Sequence, residues 1–456
     1  MGWTPPSPHS NPILRKNSNM ISIDFIHDTT FESLPKSTIK EAVRCFVDTV
    51  GVAVGGSQTQ VAHIIHNHAA CQFGGDAATL WQDGRRVSAA GAALANGMTI
   101  DSLDAHDGHK LTKGHVGCGV LPGLIAMMEA EGKAGAHELL TSIVIGYEIG
   151  TRAGIALHTS ACDYHTSGAW IALATAALGA RQLGLTQAQT REAVGIAEYH
   201  GPRSQMMRCI DAPTMVKDGS GWGAMAGVSA AYLAQDGFTG APAITMEDPA
   251  LAGFWDDLGH NWYVEQQYIK LYPVCRWAQP AAEGAMTLVR DHRVTPDQIA
   301  QIKVESFHEA KRLNVIPTNT EQAQYSLPFS VAAALVHGTI GVREVTGAGL
   351  VDKVVLDLAL MVEISETAAF NAAFPARRFA RVHLVLKDGR TVSSAPTEAQ
   401  GDPENKVSDQ VIWDKFKTLT TPVLGSAWTQ SFLLNAQALI EQGSVTDLFT
   451  QMAIKG

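Results

Sequence analysis

Apolar positions recur at helical spacing from about residue 31 onward. In TIKEAVRCFVDTVGVAVGG (38–56), Ile39, Val43, Phe46, Val47 and Val50 share one face, Leu34-Pro35-Lys36-Ser37 reads as the helix start, and Gly55-Gly56 ends it. Asp48 lies among these positions, a residue with a structural role whether buried or solvated. A second helix is predicted over 61–71, then a strand, a turn at Asp83-Gly84 and another strand within 74–88. SAAGAALANGMTI (88–100) is rich in small residues that let helices approach closely. Segments 119–132, 136–158 and 167–186 are apolar on most faces and should form the centre of a helical core. Another helix follows at 186–201, with Thr186 as its cap, and a mixed stretch at 203–242 contains a helix running to about Gln235. The texture changes near Tyr268. Strands are predicted within 298–310 and 379–395, the latter a hairpin turning at Lys387-Asp388-Gly389, with helices at 325–338 and 351–362 between them. From about Asn405 the pattern returns to plain helix. The predicted fold is mainly α: a large all-helical domain from 21–267 and 405–456, and a smaller α+β lid domain from 268–404. Residues 1–20, with Pro5, Pro6, Pro8 and Pro12, read as a disordered leader lacking the apolar core of a secretory signal.

Composition narrows the class. Apolar residues are 46% of the 456, enough for a large core. The net charge of −10 is spread along the chain without a basic stripe, which argues against nucleic acid as a partner. No apolar run reaches the roughly 18 residues needed to span a bilayer. The six cysteines form no CxxC pair, so neither a zinc ribbon nor a redox pair is expected, and reduced thiols in a cytoplasmic protein are the simplest account.

The chemistry concentrates in 96–123. Asp101, Asp104, His106, Asp107, His109, Lys110, Lys113 and His115 all fall there, between two Ala/Gly-rich segments. Carboxylates, imidazoles and amines set between buried helices are what proton transfer requires. A second polar loop, 159–168, carries Asp163, Tyr164 and His165 just ahead of a helix. In a third, Lys217 precedes Gly219, Gly221 and Gly223, an order that fits neither a phosphate-binding loop nor a dinucleotide turn. The histidines show no HxxxH or HExxH spacing, so no metal site is expected.

VDTVGVAVGG (47–56), ANGMTIDSLDAHD (95–107), HVGCGVLPG (115–123), IVIGYEIGTR (143–152), Tyr164-His165-Thr166, Met215-Val216-Lys217, KLYPVCRW (270–277) and YSLPFSVAAAL (325–335) occur in the order seen in one family. The chain resembles the MmgE/PrpD family, which includes 2-methylcitrate dehydratase, cis-aconitate decarboxylase and iminodisuccinate epimerase. The resemblance implies a helical domain built from both chain ends, a lid domain, a homodimer, and a metal- and cofactor-free site for a small polycarboxylate between the domains. It implies active-site roles for Asp104, His115, His165 and Lys217, and a pocket position for Tyr325. The chain also departs from the family. Its first loop is longer, with His109 and Lys110 as added content. Met225 stands where a basic residue is common, and Gln279 where many relatives have histidine.

The shared step in this family is removal of a proton next to a carboxylate, which needs a base and cations for the developing enolate-like charge. His115, His165 and Asp104 are the candidate bases. Lys217 supplies charge, and His109, Lys110, Arg276, Gln279 and Tyr325 are the candidate substrate contacts. A base on each of two loops, without an imidazole at 279, favours epimerisation of an iminodisuccinate-like dicarboxylate. The alternatives are a cofactor-free dehydratase or decarboxylase, and a non-catalytic polycarboxylate binder.

Overall fold

A computed structural model describes residues 18–456. Most of the expected leader, residues 1–17, lies outside the described residues. Ser18–Asp28 is a helix, one turn or more ahead of the first apolar periodicity. The helices that follow match the pattern closely: Lys36–Gly56, Gln60–Gln72, Ala89–Asp101, Gly117–Ala130, Ala136–Ser160, Gly168–Leu183, Gln187–His200 and Ser220–Gln235. Their starts are set by local chemistry. The side chains of Thr59, Ser88 and Thr186 accept hydrogen bonds from the first-turn amides of Ala62, Gly91 and Gln189. The predicted hairpin after residue 74 is reduced to two residues per strand, Ala78–Thr79 against Arg86–Val87.

Small residues bring three of these helices to near backbone contact. Ser220–Gln235 packs on both Ala89–Asp101 and Gly168–Leu183. A methyl group on Gly97 would lie 2.8 Å from the Gly221 Cα, and one on Gly221 only 2.8 Å from the Met98 amide. The loop that carries Lys217 is thereby seated directly against the end of the helix that leads into Asp104.

The second part of the chain holds a four-stranded sheet in the spatial order Val362–Glu366, Ile299–Ser306, Arg381–Leu386, Thr391–Ser393. The first pair is parallel, with Val304 opposite Ile364, and the other two are antiparallel. Val362–Glu366 had no counterpart in the sequence pattern, which ends a helix there. The sheet packs on Gln279–His292, and this region has its own core, including Trp277, Phe307, Phe329 and Leu384.

The long Asp409–Ala438 helix, kinked at Gly425, returns to pack on Lys36–Gly56. Phe416, Trp428, Phe432 and Leu448 join the same core as Phe46, Val50 and Leu140. Its Lys415 Nζ reaches the buried Asp48 carboxylate at 2.6 Å and the Ala105 carbonyl at 2.6 Å. Burial pushes the Asp48 carboxyl up and the Lys415 ammonium down from their ordinary ranges, so each is held charged chiefly by the other. Removing one partner leaves a buried, uncompensated charge. Lys415→Met should therefore cost about 3 kcal/mol, and Asp48→Asn/Lys415→Met less than the single change. Equilibrium urea unfolding of the three proteins measures this; equal losses would mean that the pair is not coupled.

Candidate active site

Where the Ala89–Asp101 helix ends, the chain turns sharply. Asp104 has φ +50°, and on the facing loop Lys217 has φ +49°. Left-handed backbone costs a non-glycine residue roughly 1–2 kcal/mol, so both are held there by their surroundings. Asp104 is buried, and its Oδ1 accepts from the Lys270 ammonium at 2.6 Å. Lys270 also donates to the Asp104 carbonyl at 3.1 Å. Burial opposes the Lys270 charge, but the Asp104 carboxylate holds its pKa above the ordinary lysine value. Asp104 Oδ2 is buried without a partner.

His115 Nε2 lies 4.0 Å from Asp104 Oδ1. Its Nδ1 donates to the Asp107 carbonyl, which fixes the tautomer and leaves Nε2 bare. Burial, with His106 and Lys270 nearby, pulls the His115 pKa well below its ordinary value, so the imidazole is neutral in the empty site. Its backbone is anchored as well: its amide donates to Ser167 Oγ at 2.9 Å, and its carbonyl accepts from the Trp170 indole at 2.7 Å. The His106 ring stands edge-on to His115, with centroids 4.2 Å apart, and its Nε2 lies 3.3 Å from Asp101 Oδ1. Behind them, the Tyr147 hydroxyl donates to Asp107, as expected of a satisfied helix tyrosine.

Lys217 forms the opposite wall. It is buried, donates to Gln324 Oε1, and lies 4.9 Å from the centre of the Tyr325 ring. Gln324 in turn donates to the Ser102 carbonyl at 2.9 Å, which ties Lys217 to the Asp104 turn. Burial, together with the Asp104 carboxylate, keeps the Tyr325 phenol protonated. Asp218 shares the wall: it accepts from Ser167, and its amide donates to Asp101 Oδ2 at 3.3 Å. A cavity of about 640 Å³ opens from Lys217 outward, lined by Thr166, Gln205, Arg208, Thr214 and Trp222 among others.

Asp104, His115, Lys217 and Tyr325 thus come together. His165 is half-buried on a separate loop, with Nε2 3.6 Å from Asp163 and its amide donating to His158; the adjoining Thr166 lines the cavity. The other candidate contacts form a separate network. Lys110 pairs with Asp402 at 3.0 Å and Glu404 at 2.6 Å, and Arg276 pairs with Asp402. Gln279 accepts from Arg276 at 2.7 Å and donates to the Tyr272 and Val274 carbonyls. His109 is buried edge-on to Tyr263, and burial pulls its pKa to about 3. Met225 packs beside Val61, Leu94 and Met98. Sequence reasoning missed Lys270, although it lies in the quoted KLYPVCRW segment, and it missed Gln324 and Asp218, whose roles depend on contacts more than 100 residues away in the chain.

Asp104, His106 and His115 each offer one ligand atom within 4.8 Å of the others, a grouping that spacing in the sequence does not reveal. The Lys270 ammonium already sits on Asp104 Oδ1, so a metal ion there would share the carboxylate with a buried cation. The cluster is better suited to moving protons.

The profile of the MmgE/PrpD N-terminal domain matches residues 23–262, and that of the C-terminal domain matches 272–439. The chain belongs to the MmgE/PrpD family. It is 25% identical to the human cis-aconitate decarboxylase over 440 residues, covering 90% of this chain and 89% of that one. It is 26% identical to the mouse cis-aconitate decarboxylase over 450 residues, with 91% and 89% covered. A cis-aconitate decarboxylase-like protein of Aspergillus oryzae is 24% identical over 420 residues, with 80% and 82% covered. Among the described residues no helix is long and apolar enough to cross a membrane.

Burial pushes the Asp107 carboxyl up to about 6; burial and the neighbouring Asp101 push Asp218 up to about 7. Both keep protons in the folded state that the unfolded chain releases near pH 4. The native state therefore binds more protons across roughly pH 4 to 7, and stability falls as pH rises through that window. Asp218→Asn should flatten this fall between pH 5 and 8 by on the order of 2 kcal/mol in denaturant unfolding. An unchanged slope would show that Asp218 is ionised in the fold.

Proposed function

We propose that the chain is a metal-independent lyase that decarboxylates a small unsaturated tricarboxylate of the cis-aconitate type. The observation that carries this reading is the buried Asp104–Lys270 pair beside a neutral His115 whose Nε2 is free, with Lys217 opposite. The named relatives support the reaction class.

The chemistry follows from the substrate's bonds. In such an acid, a CH2–carboxylate is attached to an alkene carbon whose partner bears a second carboxylate. Breaking the bond between that CH2 and its own carboxylate releases CO2, and the electron pair forms a new double bond from the CH2 to the alkene carbon. The former π pair takes a proton at the carbon next to the retained carboxylate, giving a methylidene-succinate. Charge builds on that retained carboxylate, so a cation beside it lowers the barrier. The step needs an acid. A bound polyanion next to His115 opposes the burial that keeps the ring neutral, so binding favours protonation of Nε2. Lys217 and Lys270 hold the developing charge. His165, next to the cavity-lining Thr166, is the proposed entry-side contact. As in the family, the working form is a homodimer.

Epimerisation is the second reading, because a neutral imidazole with a bare Nε2 is also a base. The argument against a lyase from Gln279 and Met225 has less force here: Gln279 is saturated within the lid scaffold, and Met225 lies in an apolar cluster.

Incubation with cis-aconitate in deuterated water separates these readings by NMR. The lyase gives CO2 and a methylidene-succinate with one deuterium on its saturated methylene. No CO2, together with α-proton exchange on an amino or imino dicarboxylate, would establish the epimerase instead. Binding without turnover of either would indicate a non-catalytic homologue. His115→Gln should lower kcat by about 100-fold or more, the usual contribution of a proton-transfer group. Activity should be unchanged by a chelator; loss on chelation would assign a metal to Asp104, His106 and His115.

A further inference from the structure

Among the described residues, seven Lys and Arg side chains are buried: Arg44, Lys110, Arg152, Lys217, Lys270, Arg276 and Arg378. Five of them pair with carboxylates of the chain: Arg44 with Asp409, Lys110 with Asp402, Arg152 with Glu148, Lys270 with Asp104 and Arg276 with Asp402. Among the described residues, Lys217 and Arg378 have no such partner. Lys217 belongs to the site already described. Arg378 calls for its own account, because a buried guanidinium without a counter-charge is costly.

Arg378 precedes the Arg381–Leu386 strand and reaches across to the first loop, where its Nη2 donates to the Lys110 carbonyl at 3.0 Å. Its Nε and Nη1 are buried and have no hydrogen-bond acceptor. A guanidinium binds a carboxylate through Nε with Nη2 or through Nη1 with Nη2, so each edge of this fork has a nitrogen without a protein acceptor. Its carbon lies 5.5 Å from the Tyr268 ring centre and 6.0 Å from that of Phe374. Tyr268 also neighbours Arg276, whose guanidinium carbon lies 4.7 Å from the ring centre, and His115, with ring centres 6.3 Å apart. The unpaired cation therefore stands one aromatic ring away from the proton-transfer histidine. Gly108 runs beside the same phenol and is paired backbone to backbone with Tyr268; a methyl group there would be 2.6 Å from Tyr268 Cζ. Lys113, on the same loop, adds positive charge near Arg378, partly offset by the Glu309 carboxylate.

Resting on the reading that the site takes a small polycarboxylate, we propose that Arg378 is a substrate-carboxylate receptor: it grips one carboxylate through its unpartnered edge while Lys217 holds another across His115. The pair of unbalanced cations selects for substrates with a carboxylate at each end of that span. Arg378 touches substrate and leaves the proton transfer to His115.

Calorimetric titration of the full chain with propane-1,2,3-tricarboxylate, which lacks the reactive alkene, and with 2-methylsuccinate, the same skeleton without one end carboxylate, tests this. The wild type should bind the tricarboxylate more tightly. Arg378→Met should weaken tricarboxylate binding by 30-fold or more and bring it close to the 2-methylsuccinate value. Its ligand-free Tm should be unchanged or higher, because an unpaired buried charge has been removed; a purely structural arginine would lower it. Arg378→Lys keeps a charge but loses the fork, and should lose five-fold or more, so the comparison survives if the Met variant fails to fold. Tight tricarboxylate binding by the wild type that both variants match would overturn the role of Arg378 alone. No binding of either acid by the wild type would overturn the polycarboxylate reading along with it.

Discussion

A run of polar loop has been forced into the interior, and every ionisable group on it must find a partner there. From Asp101 to His115, all the titratable side chains except Lys113 are buried. Water cannot solvate them, so the rest of the chain must. Lys270 meets Asp104, Tyr147 meets Asp107, and Asp402 meets Lys110. Lys415 and Arg378 donate to the carbonyls of Ala105 and Lys110. Three of these partners come from the strand-bearing part and one from the returning C-terminal helix. The loop thus fixes how the two cores meet, and the meeting in turn fixes the loop. The left-handed backbone at Asp104 and Lys217 is tolerable within that closed set of contacts.

The fold was largely legible because its signals are local. Helical periodicity, caps at Thr59, Ser88 and Thr186, and the hairpin turn before Thr391 are written within a few residues of where they act. Several elements escaped, short helices such as Ala368–Ala373 among them, and two are instructive. Ser18–Asp28 begins inside a stretch judged by its prolines. Val362–Glu366 is a mostly exposed edge strand whose pairing with Ile299–Ser306 lies 60 residues away. An edge strand of that kind has little apolar alternation to reveal it.

The site divides along the same line. Asp104, His115 and Lys217 were visible as chemistry-bearing residues in polar loops, and they do converge. What the chain could not show was which charges are already spent. Lys110 and Arg276 look like substrate cations in one dimension, yet Asp402 and Glu404 pair with them. Lys270 looks like a marker residue, yet it is the closest cation to the Asp104 carboxylate. Gln279 and Met225 looked like missing catalytic groups, yet their side chains are engaged in scaffold and apolar packing. A missing residue type weighs against a reaction only if the position faces the reacting atoms.

The same accounting bears on how one scaffold can serve several reactions of carboxylates. His115 has its tautomer fixed by a backbone carbonyl, a constraint that no side-chain substitution nearby can easily remove. Its protonation state is instead set by burial and by the cations around it, Lys270 foremost among the lysines and arginines. An imidazole held neutral in the empty site is a base toward a substrate that brings little charge. Beside a substrate bringing three negative charges it becomes an acid, since the added anions offset both the burial and the neighbouring cations. Proton abstraction and proton delivery then differ in what the substrate carries in, and the identity of the catalytic residues can stay the same. On the proposed reading, the number of buried cations without a paired carboxylate, here Lys217 and Arg378, sets how much negative charge the site accepts, and with it which of the two roles falls to His115.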